Sequence, residues 1–157
     1  MTDDDAPRPR APKSLQARAV AYLARREYPR SELRDKLLAT GASIDEVDPV
    51  LDELAAQGYL SDARFAQAVV RQKHGAYSQR SIAQTLKAKG VAGEVAAEAL
   101  AGAESDDAAT MVALWRRRFG RAPADDRERA RQVRFLQSRG FGLSAILKLL
   151  RDPPVDE

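Results

Sequence analysis

Apolar residues recur along this chain at three- and four-residue steps, in short runs closed by glycine or proline. That spacing gathers them on one face of a helix. Leu15, Ala19, Tyr22 and Leu23 predict a first helix from Ser14 to about Glu27, interrupted by Pro29. Ser31 is placed to cap a second, running through Ala39. A third begins near Ser43, carries Ile44, Val47, Val50, Leu51 and Leu54, and ends at Gly58. The rhythm then returns. Ser61 opens a stretch with Phe65, Val69 and Val70 inward, followed by Ile82 and Leu86, then Val91, Val95 and Leu100. Ser105-Asp106-Asp107 opens another, with Met111, Leu114, Trp115 and Phe119. Val133, Phe135 and Leu136 follow, and Leu143, Ile146, Leu147 and Leu150 form the last stripe.

Three segments within this rhythm are alike: Leu37-Leu38-Ala39-Thr40-Gly41, Leu86-Lys87-Ala88-Lys89-Gly90 and Leu136-Gln137-Ser138-Arg139-Gly140. Each sets a Leu four residues before a Gly, and the glycines fall 49 and 50 residues apart. Eight residues before each glycine stand Leu33, Ile82 and, as a poorer match, Gln132. A glycine between two amphipathic stretches is where a helix closes on a left-handed residue, so Gly41, Gly90 and Gly140 are structural hinges. The expected organisation is an N-terminal flexible arm (1–13), three-helix repeats at 14–60, 61–103 and 104–152, and a tail (153–157). A unit of this size buries little apolar area alone, so neighbours must stack. The expected fold is all-α, with about nine helices in three tandem repeats forming an elongated, curved molecule.

Composition agrees. Of 157 residues, 29 are Ala and 16 Leu, against 17 Val, Ile and Thr together, too few β-branched residues for a sizeable sheet. The absence of Cys and the single His74 exclude disulfides, thiol nucleophiles, zinc fingers and multi-histidine metal sites. No Gly-Lys pair is followed by Ser or Thr, and no glycine-rich dinucleotide fingerprint occurs. The carboxylates Asp45, Glu46, Asp48, Asp52 and Glu53 alternate with Val47, Val50 and Leu54, which makes them a solvated helix face rather than a metal site. No enzyme, cofactor or metal is expected. No apolar run approaches the roughly 20 residues of a membrane helix, and residues 1–13 lack the apolar stretch of a secretory signal. A soluble, cytoplasmic monomer is expected.

The net charge of +3 is unevenly spread: residues 14–60 hold six basic and eight acidic groups, residues 61–103 six and three, residues 104–157 eleven and nine. The basic side chains are densest at Arg116-Arg117-Arg118-Phe119-Gly120-Arg121. Such a patch attracts a polyanion or an acidic protein surface. Lys73, Arg80, Lys87 and Lys89 are candidates for a second basic face. Ser81 to Leu86, followed by Gly90-Val91 and an apolar helix, has the outline of a helix-turn-helix. Its second helix, Glu94-Val95-Ala96-Ala97-Glu98-Ala99-Leu100, carries two acids and no base-reading group, and the counterpart at 45–53 is more acidic still. Either would be repelled by phosphates, which disfavours sequence-specific duplex reading.

Several stretches together resemble the RecX family of bacterial regulators of the RecA recombinase. They are Gly58-Tyr59-Leu60-Ser61-Asp62-Ala63-Arg64-Phe65-Ala66, Arg80 to Val91 with its Lys89-Gly90-Val91, and Arg134-Phe135-Leu136-Gln137-Ser138-Arg139-Gly140-Phe141. Arg25-Arg26-Glu27-Tyr28 followed by Ser31-Glu32-Leu33 also fits. The resemblance covers about residues 14–151. One departure is Ala76-Tyr77-Ser78, where the family commonly has Gly-Pro. The resemblance implies a non-enzymatic protein that binds the RecA–single-stranded-DNA filament and restrains its ATPase, strand exchange and growth in recombinational repair and the SOS response, with weak direct contact to single-stranded DNA. Position and charge nominate Arg25, Arg26, Arg64, Lys73, Arg80, Lys87, Lys89, Arg116, Arg117, Arg118, Arg121, Arg134 and Arg139 for that partner. Asp62 and Phe65 are expected to be structural, as a helix cap and a core residue. Trp115 is either core or a base-stacking platform. The alternative is a stand-alone DNA-binding protein built on helix-turn-helix-like units.

Overall fold

The computed structural model describes residues 14–103 and 105–154, and among them nine helices and no strand. The predicted arm at 1–13 and the last three residues of the predicted tail lie outside the described residues. Backbone contacts divide the chain into two compact units, meeting at Ser61 and Asp62.

The first unit holds α1 (Leu15–Leu23), α2 (Arg30–Leu38) and α3 (Ile44–Ala56). Ser14 caps α1, its hydroxyl accepting from the Ala17 N–H at 3.1 Å. α1 stops four residues before the predicted Glu27, because the chain beyond it turns inward. The Arg25 and Arg26 N–H groups both donate back to the Tyr22 carbonyl, and Tyr28 is buried edge-on to Tyr22 with centroids 5.7 Å apart. α2 begins before Ser31, which therefore lies inside the helix rather than capping it. Pro29 occupies the cap in an extended conformation, with no side-chain hydrogen bond. Its fixed φ already suits a helix start. α3 opens with a capping box, in which the Ser43 hydroxyl accepts from the Glu46 N–H and Glu46 reaches back to the Ser43 N–H. Leu33, Leu37, Val47, Leu51 and Leu54 are wholly buried in this unit's core.

The second unit holds α4 (Asp62–Lys73), α5 (Gln79–Ala88), α6 (Gly93–Ala101), α7 (Asp107–Arg118), α8 (Asp126–Ser138) and α9 (Leu143–Arg151). It contains two cores. Phe65, Ala66, Val69, Val70, Ile82, Leu86 and Val91 centre the α4–α6 core. Met111, Leu114, Trp115, Leu136, Phe141, Ile146, Leu149 and Leu150 form the α7–α9 core. Equivalent positions of the three repeats agree: Leu37, Leu86 and Leu136 are fully buried, and Gly41, Gly90 and Gly140 close their helices at φ +94°, +79° and +93°. Phe65 is core, and Asp62 is the first residue of α4.

Two apolar residues predicted for the core are exposed instead: Ile44 and Leu143, at 51% and 49%. Each is the first residue of its helix. Side chains lean toward the helix N-terminus, so one at the first position overhangs the core its helix covers. Leu149 is buried and Leu147 only half-buried at the far end of the same stripe.

Within the second unit, α5 and the α8–α9 turn are tied together by backbone. The Ser78 N–H donates to the Arg139 carbonyl at 2.9 Å, and the Ser78 hydroxyl donates to the Gly140 carbonyl at 2.8 Å while accepting from the Ser81 N–H. The Gln79 N–H donates to the Asp107 carboxylate at 3.0 Å. One serine thus caps α5 and joins the second repeat to the third.

Candidate functional site

The predicted cations fall into distinct environments. In the first unit one of the two, Arg26, is neutralised locally. Arg26 pairs with Glu32 at 2.6 Å and lies over the Tyr28 ring, 3.5 Å from its centroid. Its partial burial opposes the charge, but the Glu32 hydrogen bond and attraction outweigh that and raise its pKa. Arg30 pairs with Asp52 at 2.6 Å and Arg34 with Asp48 at 3.0 Å, so α2 matches two of the five acids of α3. Arg25 is exposed just past α1. α3 and α6 present their acids outward, which does not suit insertion between phosphate backbones.

The second unit is different. Among the described residues, Lys73, Arg118, Arg131 and Arg139 have no carboxylate within ion-pair distance and lie over aromatic rings instead. Lys73 Nζ is 4.3 Å from the Tyr77 centroid, and Arg139 Cζ is 4.8 Å from that ring and 5.3 Å from Phe135. Arg118 Cζ is 5.0 Å from Phe135, and Arg131 Cζ is 5.9 Å from Phe119. Phe119 and Phe135 meet edge-to-face at 5.6 Å and 83°. The result is a ridge of alternating cations and rings crossing from the second repeat to the third.

Local sequence builds most of it. Arg131 and Phe135 on α8 and Arg139 at its C-cap are successive four-residue steps and so share one face. Arg118 and Phe119 close α7 against that face. Tyr77 is held by a short turn whose N–H donates to the Lys73 carbonyl at 3.1 Å, and the Ser78 tie carries it to Arg139. Tyr77, Phe119 and Arg131 were not among the candidates, and Phe135 was assigned to core. The four-residue step from Arg131 through Phe135 to Arg139 was the signal for Arg131 and Phe135, and no spacing pointed to Tyr77 or Phe119.

Beside the ridge, Arg118, Phe119, Arg121, Glu128, Arg131 and Gln132 line a hollow of about 200 Å³. Gln132 is 4% exposed and makes two hydrogen bonds: its carbonyl accepts from the Trp115 indole at 2.9 Å, and its amide donates to the Arg121 carbonyl at 3.2 Å. Trp115 is 2% exposed, so it is core and presents no ring to a base.

Other candidates stand apart. Arg80 lines a groove between the second and third repeats that ends at Leu143, and Lys87 borders a hollow walled by Val91, Ala96 and Leu100. Lys73 is thus brought to the third-repeat ridge, away from that hollow. Arg64, Lys89, Arg116, Arg117 and Arg134 are exposed on α4, at the end of α5, on α7 and on α8. His74 is exposed just beyond α4. No group of three or more potential metal ligands occurs among the described residues, and no helix there is long and apolar enough to cross a membrane.

Comparison with known proteins matches this architecture repeat by repeat. Family models for the first, second and third three-helix domains of RecX match residues 17–54, 61–100 and 104–150. The chain belongs to the RecX family. It is 44% identical to the regulatory protein RecX of Ralstonia pickettii over 92% of this chain and 91% of that protein. It is 45% identical to that of Chromobacterium violaceum, covering 88% and 90%. Two crystal structures share the fold. One, of RecX from Lactobacillus salivarius, has a TM-score of 0.68 at 20% identity, covering 88% of this chain and 93% of the other. The other, of a regulatory protein RecX, has a TM-score of 0.67 at 23% identity, covering 88% and 73%. RecX relatives carry a regulatory name, and the tandem three-helix architecture with no strand among the described residues is the family's own.

Proposed function

We propose that this chain regulates the RecA recombinase by binding the RecA–single-stranded-DNA filament, where it restrains ATP hydrolysis, strand exchange and filament growth. It acts as a binding protein with no reaction of its own, in the cytoplasm with RecA. Membership of a family whose members are named regulatory protein RecX carries this reading. The cation-rich second unit supports it physically. Arg118, Arg131 and Arg139 are held at aromatic rings, which leaves their charge facing outward toward a nucleoprotein surface.

The test is the single-stranded-DNA-dependent ATPase of RecA, titrated with this protein below stoichiometry. The expected result is loss of ATPase well before the protein covers the DNA. Loss only once the DNA itself is covered would indicate competition for DNA, and no loss would end the reading.

A further inference from the structure

We propose that the acidic run Asp3-Asp4-Asp5 folds back onto a basic hollow of the first unit, lined by Arg18, Ala21, Tyr22 and Arg25, so that the chain covers this face with its own carboxylates. The inference goes beyond the regulatory reading and does not rest on it.

Three observations carry it. First, the hollow is positive. It measures about 520 Å³, and its lining holds two guanidinium groups, one ring and no acid. Arg18, Ala21 and Tyr22 lie at three- and four-residue steps on one face of α1. Arg25 follows just past the helix, where its N–H donates to the Tyr22 carbonyl at 3.0 Å. Lys36 brings a third cation to the same ring, its Nζ 5.3 Å from the Tyr22 centroid.

Second, nearby acids of this unit are engaged elsewhere. Glu32 holds Arg26, Asp52 holds Arg30 and Asp48 holds Arg34. Arg25 has no carboxylate within ion-pair distance among the described residues. Like charges gathered on one face repel, and an arriving carboxylate relieves that repulsion.

Third, a matching anion is tethered within reach. Residues 1–13 have no net charge, but their signs are separated: the three acids are consecutive at Asp3-Asp4-Asp5, and Arg8, Arg10 and Lys13 lie closer to Ser14. The nine steps from Asp5 to Ser14 span at most about 30 Å. Arg25 lies only about 16 Å beyond Ser14 at the helical rise per residue. A segment joined this closely meets the face at an effective concentration on the order of mM, which favours it over a dilute external anion.

The experiment exploits the absence of native cysteine. A nitroxide is attached to the full chain at Thr2→Cys, and its broadening of backbone amides is read by nitrogen-15 NMR. The expected result is loss of peak intensity at Ala21, Tyr22 and Arg25 that exceeds the loss at Leu15 and Gln16, which are nearer the label in sequence. Salt at about 1 M, where the screening length is about 3 Å, is expected to restore those intensities. The variant Asp3→Asn, Asp4→Asn, Asp5→Asn is expected to restore them too, and it alters no residue of a helix. Arg18→Ala with Arg25→Ala is expected to do the same, both side chains being exposed. Arg117→Ala with Arg127→Ala, a charge-matched pair in the second unit, is expected to leave the broadening in place. Broadening that declines steadily from Ser14 and ignores salt and substitution would mean an ordinary tether. Equal loss from both variant pairs would mean net charge and not this face. Broadening that appears only between spin-labelled and nitrogen-15-labelled molecules in a mixture would mean contact between copies. Each of these three results overturns the proposal.

Discussion

Gly140 and Gly41 hold equivalent places in their repeats, yet an added methyl group meets different surroundings. Both have positive φ, which costs an L-residue about 1–2 kcal/mol. A Cβ at Gly41 points into open space, whereas one at Gly140 collides with the Ser78 hydroxyl and the Ser81 Cβ. Gly41→Ala is therefore expected to lower unfolding stability by about 1 kcal/mol, and Gly140→Ala by about 3 kcal/mol or more, since overpacking adds to strain. Urea denaturation of the two variants checks this, and equal losses would show that the joint yields freely. Gln132 gives the opposite lesson. It fills the position of Leu33 and Ile82, so a repeat-based reading welcomes Gln132→Leu. The structure predicts a loss of about 1–3 kcal/mol, because the buried Trp115 N–H and the Arg121 carbonyl would lose their partner. Tryptophan-monitored unfolding measures it.

α8 shows how one helix serves two purposes. Gln132 and Leu136 face the core, while Arg131, Phe135 and Arg139 share an adjoining face at four-residue spacing. Arg118 lies over Phe135 where α7 ends, and a cation over an exposed ring is worth about 0.5–1 kcal/mol. A double-mutant cycle joining Arg118→Ala and Phe135→Leu is expected to return a coupling of that size, and a coupling near zero would mean the guanidinium is free of the ring. At this scale the sequence was legible where the period was clear. Leu37, Leu86 and Leu136 announced the cores and the three glycines the turns. The failures sit at helix ends, α1 stopping four residues short of the prediction. Ile44 and Leu143 fit the stripe but overhang it, and Ser31 looked like a cap until Pro29 took the position.

For the whole molecule the decisive contrast is where charge is spent. The first unit pairs Arg26, Arg30 and Arg34 with acids, and the second lays Arg118, Arg131 and Arg139 on rings. Reversing Arg116, Arg117 and Arg118 to Glu is accordingly expected to weaken binding to the RecA filament about tenfold or more and to flatten its salt dependence. Helicity by circular dichroism is expected to stay unchanged, because all three side chains are exposed. Binding indifferent to both substitution and salt would reduce the patch to a solubility device. The sequence by itself determined the class of fold, the three repeats, the turns between their helices and the family, because helical period and left-handed glycine are local properties that no distant residue has to supply. Tertiary structure alone decided that Lys73 meets Arg139 across Tyr77, that Trp115 is sealed inside by Gln132, and that three arginines of α7, a loop and α8 face one hollow. Those are contacts between segments, and no spacing along the chain encodes them.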